Sequence, residues 1–454
     1  MKEKIYKIAP HFIQNLMVSV FNLIAYKYRY GGNYKKHLEQ KRSLKSASLI
    51  KLQEFQQEKL TAFLKFSKQQ SKYYAQIDEN TSVHSIAILP IITKEILRAK
   101  INDIYTLDKS KGIVAKTGGT TGASLEVVFT KDNIQERFAA QDAFREQFGY
   151  KLGEKSAWFS GKSIITSRDV KRNRFWKTDV LHNIRYYSTF HIKKEYLEYF
   201  LKNLIAFKPK YLIGFPTSMV ELASFGLNNN IIFPARILTA IFPTAETVTP
   251  HIRNILESYF KCNVYNQYAS SEGAPFIFEC KKRKLHVDLS SGVFEVLDEK
   301  NKPAQSGKLV FTSFTTYGTP LIRYDIGDSI ALSKMLCSCG NNNPLVDEIL
   351  GRANEYVFSP ENGKINLVNV ANTLKDTFGI QKIQVIQNQL DAISLNIVID
   401  ETKYTRKSED QFLRNWRDRV GLKMKIDLCK VKAISSERSG KYRIVINNVT
   451  SLID

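Results

Sequence analysis

The stretch KTGGTTGASLEVVFT, Lys116 to Thr130, places three glycines among four hydroxyl-bearing residues and then enters an apolar segment. Glycine allows positive φ and a close approach of the backbone to a ligand, while hydroxyl and amide groups donate hydrogen bonds. A phosphate suits such a loop. The loop is not a P-loop, because no lysine follows Gly122. Taken alone, the stretch indicates a glycine-rich hairpin as readily as a phosphate-binding loop.

The segments around this loop alternate between short β-rich runs and helical stretches. GIVAKT and SLEVVFT flank the loop as strands, KDNIQERFAAQDAFREQF follows as a helix, and YLIGF, ARILTAIF and CNVYNQY are typical of buried strands. This alternation predicts an α/β body. After Gly351, the runs KIQVIQ, AISLNIVI, SEDQFLRNWRDRV and KIDLCKV predict two strands, a helix and a strand. They form a separate α+β domain of about 100 residues.

Residues 1–80 are predicted to be helical. LQEFQQEKLTAFLKFSKQQ places five apolar side chains on roughly one helical face: Leu52, Phe55, Leu60, Phe63 and Leu64. The segment Phe12 to Tyr28 is also amphipathic and has basic flanks, which leaves peripheral membrane contact open. We expect this segment to pack against the body of the protein instead. The predicted domains are residues 1–352, with the helical lead-in over about 1–80, and residues 353–454.

Composition narrows the class of protein. A chain of 454 residues can bury a large core and exceeds the usual size of one domain. The longest apolar segment, Ile13 to Ala25, is interrupted by amides and falls short of the ~20 residues of a transmembrane helix. It has no small-residue cleavage site, so we predict no signal peptide. Five cysteines in a long chain suit a reducing compartment. We therefore predict a cytoplasmic protein without a transmembrane segment.

The charge balance is strongly basic. The chain has 67 Lys and Arg against 44 Asp and Glu, a net charge of +23. Such a surface favours polyanions, including nucleic acid, anionic lipid, ATP and coenzyme A. The lysines are dispersed, apart from KKRK and the stretch from Arg168 to Arg174, so a solvated basic face explains the charge at least as well as nucleic-acid binding. We predict no nucleic-acid partner.

Further motifs follow the glycine loop in a fixed order. They are YASSE (Tyr268–Glu272), RYDIGD (Arg323–Asp328), GRANE from Gly351 and SGKYR (Ser439–Arg443). Together with LPIITKEILRAK, LIGFPTSM and PTAET, this order resembles the adenylate-forming (acyl-CoA synthetase-like) superfamily. Within it, the chain is similar to the phenylacetate-CoA ligase-like branch, which includes capsular polysaccharide biosynthesis proteins. The resemblance covers most of the chain. It implies a large N-terminal adenylate-forming α/β domain and a small mobile α+β C-terminal lid, with the active site in the cleft between them.

The resemblance also implies how ATP is bound. The glycine loop would hold the β- and γ-phosphates through Thr117, Gly118, Gly119, Thr120, Thr121 and Gly122. Tyr268 would stack on adenine, Ser271 would reach a phosphate and Glu272 would help to place Mg²⁺. Ala245 and Glu246, in PTAET, would lie near the nucleotide. The usual glycine of the aromatic motif is replaced by Ala269, which keeps the backbone close.

Three more residues receive roles from the resemblance. Asp328 would accept hydrogen bonds from the ribose hydroxyls, and Arg352 would contact the ribose or the phosphates. Lys441 would bridge the incoming carboxylate and the α-phosphate. Two anions meet in this step, so its transition state needs cations arranged in advance. The hinge carries Asn354 and Glu355 where the family commonly has Asp, which leaves the exact hinge residue open.

The predicted reaction is ATP-dependent activation of a carboxylic acid as an acyl-adenylate, followed by transfer to a thiol, by family default coenzyme A. One alternative is transfer to a carrier thiol or to an amine of a sugar or amino acid in surface polysaccharide biosynthesis. Another, from a different class, is a non-catalytic polyanion-binding protein. The acidic and basic residues retained at the motif positions argue against the last alternative. The identity of the acid and the oligomeric state stay open.

Two sets of residues concern the acid and a metal. Phe215, Ile241 and Phe242 would form an acyl pocket for a modest hydrophobic or aryl acid, and they could equally be core residues of buried strands. Four soft ligands suit a tetrahedral structural zinc: Cys280, His286, Cys337 and Cys339. Similar cysteine and histidine positions recur in the phenylacetate-CoA ligase-like branch. Buried free thiols are the alternative. Cys262 and Cys429 are predicted to be core residues.

Overall fold

The structure is a computed structural model, and it describes residues 2–116, 125–162, 164–193, 195–245, 248, 250–349, 356–366, 373–374, 377–432, 434 and 445–449. The chain divides into two compact units, one comprising Met1–Ala115 and Val127–Gly351, the other Lys116–Glu126 and Arg352–Asp454. The division after Gly351 lies one residue before the predicted domain boundary.

Helices account for most of the chain before residue 105, as the amphipathic patterns predict. The described residues of the first unit form ten α-helices: α1 (Lys2–Ile8), α2 (His11–Tyr30), α3 (Tyr34–Leu44), α4 (Leu49–Gln70), α5 (Lys94–Ile104), α6 (Lys131–Glu146), α7 (Ser167–Val170), α8 (Leu197–Phe207), α9 (Pro216–Asn228) and α10 (Pro250–Phe260). Thr130, the last residue of the opening stretch, forms a capping box with Asn133 and so starts α6.

Helix α4 shows how packing modifies the predicted apolar face. Leu60 and Phe63 are fully buried, but Phe55 is only half-buried. Gln56 is buried beside them because its amide donates a hydrogen bond to the carbonyl of Gly292 at 2.8 Å. A satisfied amide can therefore take a core position that an apolar pattern does not predict.

A five-stranded sheet lies in the first unit. A hairpin of β1 (Ile113–Lys116) and β2 (Glu126–Phe129) flanks the glycine loop in sequence, and the sheet follows with β3 (Ser156–Ser160), β4 (Trp176–Asp179), β5 (Ile184–Ser188), β6 (Tyr211–Gly214) and β7 (Ala240–Pro243). The sheet order is β4-β5-β3-β6-β7, parallel except for β4. The predicted strand ARILTAIF is thus shorter than expected, with only its end in β7.

The second sheet of this unit is antiparallel throughout. Its strands are β8 (Gln267–Tyr268), β9 (Ile277–Glu279), β10 (Leu285–Val287), β11 (Gly292–Leu297), β12 (Ser306–Ser313), β13 (Tyr324–Leu332) and β14 (Leu345–Ile349). The order is β11-β12-β13-β14-β10-β9-β8. CNVYNQY contributes β8 and, through Val264, an isolated bridge to Ile241 of β7, while the Glu279 carboxylate accepts a hydrogen bond from the backbone N–H of Asn266 between them. The pairing of β10 with β14 brings the β9–β10 turn beside the loop between β13 and β14.

The second unit is a small α+β domain. Its described elements are β15 (Tyr356–Ser359), β16 (Gly363–Asn366), β17 (Ile380–Gln389), β18 (Ala392–Ile399), α11 (Arg406–Val420), β19 (Lys425–Lys430) and β20 (Val445–Asn447). The four-stranded sheet has the order β19-β18-β17-β20, and α11 buries Phe412, Trp416 and Val420 in the core of this unit. Cys429 is exposed, so its prediction as a core residue is wrong: β19 is an edge strand with a largely exposed surface.

Candidate functional site

Two predicted nucleotide-binding residues from distant motifs meet in the first unit. The Tyr268 hydroxyl, on β8, donates a hydrogen bond to Oδ2 of Asp328, on β13, at 2.9 Å. The two residues are 60 positions apart in the chain. Both side chains are half-buried, so part of each remains accessible to a ligand. The contact brings a ring suited to stacking and a carboxylate suited to hydroxyl groups into one place.

The predicted Mg²⁺ residue has a cationic neighbour. Glu272 is buried, and its Oε1 lies 3.4 Å from Nζ of Lys94, the first residue of α5. Lys94 belongs to the LPIITKEILRAK motif, and the resemblance assigns it no individual role. The ion pair orients the Glu272 carboxylate. Lys94 reaches this motif from another helix, a contact for which the only signal in the sequence is the TK dipeptide of LPIITKEILRAK.

The YASSE segment is also held from α6. The Arg137 guanidinium donates hydrogen bonds to the carbonyls of Ser270 at 3.3 Å and Ala274 at 3.2 Å. Burial lowers the pKa of Arg137 to about 10, which still leaves it protonated at neutral pH. Gly273 has a φ of 100°, and a Cβ there would lie 2.4 Å from Thr316 Cγ2, so the turn after the glutamate requires glycine. Arg137 was missed because a single arginine in a helix forms no pattern.

Several predicted residues cannot be assigned a position. The six loop residues, Glu246, Arg352 and Lys441 lie outside the described residues, so their roles stay predictions. Ser271 is exposed, and Ala245 follows β7 with a φ of 65°. A positive φ in a residue other than glycine is uncommon and is found disproportionately at functional sites.

The predicted acyl-pocket residues lie in or beside the cores. Ile241 and Phe242 have no exposed surface, and they point into two different cores because they alternate along β7. The ring of Phe242 packs against the rings of Phe144 and Tyr150. Phe215 is half-buried at the start of α9. The structure therefore places Ile241 and Phe242 in the core, which is the alternative that the sequence left open, and a role for the three in acid binding stays a prediction.

The Tyr268–Asp328 contact leads to a prediction. We expect Asp328→Ala to raise the KM for ATP roughly 10- to 100-fold, because hydrogen bonds to a charged group would be lost. Steady-state kinetics at varied ATP concentration measure this effect. Tyr268→Phe is the matched variant, since it keeps the ring and removes only the bond to Asp328. An equal KM increase in both variants would mean that Asp328 acts by holding Tyr268, and an unchanged KM in Asp328→Ala would exclude the ribose role.

The four predicted metal ligands converge in the antiparallel sheet. Cys280 follows β9, His286 lies on β10, and Cys337 and Cys339 lie in the loop between β13 and β14. Their ligand atoms all lie within 4.8 Å of one another. The Sγ atoms of Cys280 and Cys337 are 3.7 Å apart, and Cys339 Sγ is 3.5 Å from His286 Nε2. All five cysteines of the chain are free, so these thiols form no disulfide.

These distances fit a tetrahedral zinc. Ligand bonds of about 2.3 Å to sulfur and 2.0–2.1 Å to nitrogen put two sulfurs about 3.8 Å apart and a sulfur and a nitrogen about 3.6 Å apart. His286 Nδ1 donates a hydrogen bond to the carbonyl of Asn343 at 2.8 Å, which leaves Nε2 facing the thiols as an acceptor. Burial lowers the pKa of His286 and so favours the neutral ring that binds metals.

Known proteins resemble this chain, one of them over nearly its whole length. The family model of the CapK C-terminal domain matches residues 357–448. Protein CapK of Staphylococcus aureus is 33% identical over 454 residues, which cover 98% of this chain and 99% of that protein. Phenylacetate-coenzyme A ligase of Thermus thermophilus is 24% identical over 238 residues, 45% of this chain and 52% of that enzyme.

Solved structures agree on the fold. A crystal structure of 2-hydroxyisobutyryl-CoA ligase with 2-HIB-AMP and CoA, in its thioesterification state, superposes with a TM-score of 0.61 at 16% identity and covers 90% of this chain and 92% of that chain. The same ligase in a postadenylation state gives a TM-score of 0.56 at 15% identity, over 89% and 91% of the two chains. The likeness confirms the predicted α/β adenylate-forming fold with a C-terminal domain.

Proposed function

The chain belongs to the CapK family, in the phenylacetate-CoA ligase-like branch of the adenylate-forming superfamily, and on that premise we propose that it activates a carboxylic acid with ATP. The carboxylate oxygen attacks the α-phosphorus of ATP, the bond to the β-phosphate oxygen breaks, and pyrophosphate leaves. A thiol then attacks the acyl carbon and AMP leaves. Coenzyme A is the proposed thiol, and the basic surface of the chain favours such an anionic substrate.

The contact between Tyr268 and Asp328 is the main support for this proposal. The Tyr268–Asp328 hydrogen bond joins the YASSE and RYDIGD motifs, which the sequence alone could only order along the chain. Lys94 and Arg137 support the same motif from two separate helices. Three side chains from other elements, Asp328, Lys94 and Arg137, thus bind within the five residues of YASSE, which indicates that the position of this segment matters for more than packing. Such rigid support is what a preorganised nucleotide site requires.

Transfer to an amine of a sugar or amino acid is the second candidate. It stays open because phenylacetate-coenzyme A ligase, whose name specifies a thiol acceptor, matches only 45% of this chain, whereas protein CapK matches 98% of it. Both candidates share the adenylation step and the residues proposed for it. They differ only in the nucleophile that releases AMP.

The Cys/His cluster is proposed to hold a structural zinc. Three thiols and an imidazole with these spacings suit Zn²⁺ as a closed four-ligand site, which leaves no position for substrate. The ligands come from the β9–β10 hairpin and from the loop between β13 and β14, so the metal would join two segments whose cysteines, Cys280 and Cys337, are 57 residues apart. Its role would be to stabilise the sheet that carries Tyr268 and Asp328. Mg²⁺ would act with ATP beside Glu272.

A panel of carboxylic acids tests the function. Each acid is assayed for pyrophosphate release with hydroxylamine as a surrogate acceptor, then with coenzyme A, amino sugars and amino acids. We expect release with a hydrophobic or aryl acid and faster release with coenzyme A. Asp328→Ala, prepared in the same way, controls for a contaminating ligase.

The outcomes separate the candidates. Acceleration only by an amine would assign the protein to amide formation. With ATP below the wild-type KM, turnover that is equal in the wild type and in Asp328→Ala would point to a contaminant. No release with any acid would contradict the ligase proposal and leave polyanion binding as the alternative.

A further inference from the structure

Helix α2 packs in an unusual orientation, with its polar face toward the protein. Gln14, Ser19 and Asn22 are its buried residues. The backbone N–H of Val180 donates a hydrogen bond to Ser19 Oγ at 2.9 Å, and the Asn22 amide donates to Asp179 Oδ2 at 2.7 Å. These contacts fall on the end of β4, an edge strand of the five-stranded sheet, and on the turn that follows it. The polar face of α2 therefore covers an open sheet edge, which natural proteins commonly protect.

A buried ion pair fixes the start of this helix. Lys177 Nζ lies 2.8 Å from both oxygens of Asp169 and also binds the Gln14 side chain. His11 Nδ1 is 3.3 Å from the same carboxylate. Burial alone would raise the pKa of Asp169, but hydrogen bonds from His11, Lys177 and Thr166 outweigh it and hold the pKa below its usual range. Specific polar contacts thus anchor the start of α2 on the first unit.

The opposite face of α2 is apolar and exposed. Eight residues of this fully described helix are exposed, and Lys27 is the single charged one. The apolar stripe consists of Phe12, Leu16, Val20, Phe21, Leu23 and Ile24, each between 50% and 70% exposed. Four of them recur at intervals of four residues and so follow one face of the helix. Monomeric proteins rarely expose a contiguous surface of this kind unless it binds something.

Neighbouring segments add further exposed apolar residues. Ile5 and Ile8 of α1 are 55% and 66% exposed, and Val180 and Leu181, in the turn after β4, are 57% and 55% exposed. Val180 lies directly beside α2, since its N–H binds Ser19. Two elements distant in sequence therefore contribute to one apolar surface.

A basic rim borders the apolar stripe. It consists of the exposed residues Lys7, Lys27, Arg168, Lys171 and Arg172. Arg168 donates a hydrogen bond to the carbonyl of Ile8 at 2.8 Å, which places the Arg168–Arg174 cluster at the end of α1. Among the first 38 residues, seven are Lys or Arg and only Glu3 is acidic. The positive charge favours an anionic partner, and the apolar stripe favours a partner that also accommodates hydrocarbon side chains.

We propose that this face docks the protein on the surface of an anionic phospholipid bilayer. An apolar stripe with basic flanks is the arrangement by which helices lie in the headgroup region, with aliphatic side chains in the acyl boundary and lysines at the phosphates. No described helix is long and apolar enough to cross a membrane. A second copy of the chain fits less well, because two basic rims would meet across a symmetric interface and the chain carries a net charge of +23.

Vesicle flotation with the full-length protein tests this proposal. Vesicles of phosphatidylcholine alone are compared with vesicles that also contain phosphatidylglycerol. The test variant is Leu16→Glu with Ile24→Glu. The matched control is Leu227→Glu with Ile232→Glu, which changes the same residue types at exposed positions of the same unit, 50% and 84% exposed. We expect the wild type and the control to float with anionic vesicles, and the test variant to bind at least about ten-fold less.

Three results would overturn the proposal. They are a wild type that stays in solution with anionic vesicles, an equal loss of binding in test and control variants, and equal binding to neutral vesicles. Sedimentation velocity tests for a dimer. If the wild type forms concentration-dependent dimers, does not bind vesicles, and loses the dimers only in the test variant, the surface would be assigned to a second copy of the chain. Circular dichroism of both variants checks that the fold is retained.

Discussion

Replacing Lys441 by alanine is expected to lower acyl-adenylate formation by roughly 10²- to 10⁴-fold while leaving the fold and ATP binding largely intact. Its ammonium group would offset the negative charge that builds up as the carboxylate meets the α-phosphate, so its contribution is realised mainly in the transition state. ATP–pyrophosphate exchange with the cognate acid measures the loss. Calorimetric titration with ATP measures the retained binding.

A lysine elsewhere in the same unit provides the control. Lys425, on β19, is 72% exposed and pairs with Asp391 at 3.0 Å. Lys425→Ala removes the same charge from the small domain, and exchange should stay near the wild-type rate because exposed ion pairs contribute little. Undiminished exchange in Lys441→Ala would remove Lys441 from the mechanism. Equal losses in both variants would point to a general charge effect.

Purified wild-type protein is expected to contain close to one equivalent of zinc, and Cys337→Ser should lose it. The midpoint of thermal unfolding should fall by about 5 °C or more, because the metal would hold together two loops of the antiparallel sheet. Elemental analysis and thermal unfolding measure the two effects. A chelator should lower the unfolding temperature of the wild type toward that of the variant and should have no effect on Cys337→Ser.

An exposed cysteine outside the cluster serves as the control. Cys429→Ser removes a thiol from β19 and should keep both the metal and the stability of the wild type. Metal-free wild-type protein of normal stability would rule out the site. Loss of stability in Cys337→Ser without any metal in the wild type would instead assign the thiols to packing.

The order of motifs along the chain was enough to predict the fold and the family. Glycines, turn residues and apolar periodicity are local signals, and each reports the backbone conformation of its own segment. The set of three cysteines and one histidine was also predicted from residue chemistry, because three thiols together with an imidazole are typical of a metal site. Neither inference required knowledge of which segments touch.

Tertiary packing determined features that these local signals cannot predict, such as which face of a helix is buried. An amphipathic pattern defines two faces of α2 but not which face meets the protein. That choice was made by the unpaired edge of β4, whose amide groups need hydrogen-bond partners and find them in Asn15 and Ser19. The tautomer of His286 depends in the same way on the carbonyl of Asn343.

Tertiary packing also determines where apolar and charged residues lie when the sequence leaves their positions ambiguous. As apolar residues, Ile241 and Phe242 suit a pocket wall and a core equally well. Because β7 is covered on both faces, the two side chains lie in two different cores. Lys94 and Glu272 are 178 residues apart, so their ion pair exists only because the chain folds back on itself. The sequence alone determined the family, the fold class and the candidate ligands. The tertiary structure decided which of these side chains meet, because burial and hydrogen-bond satisfaction depend on neighbours that are distant in the chain.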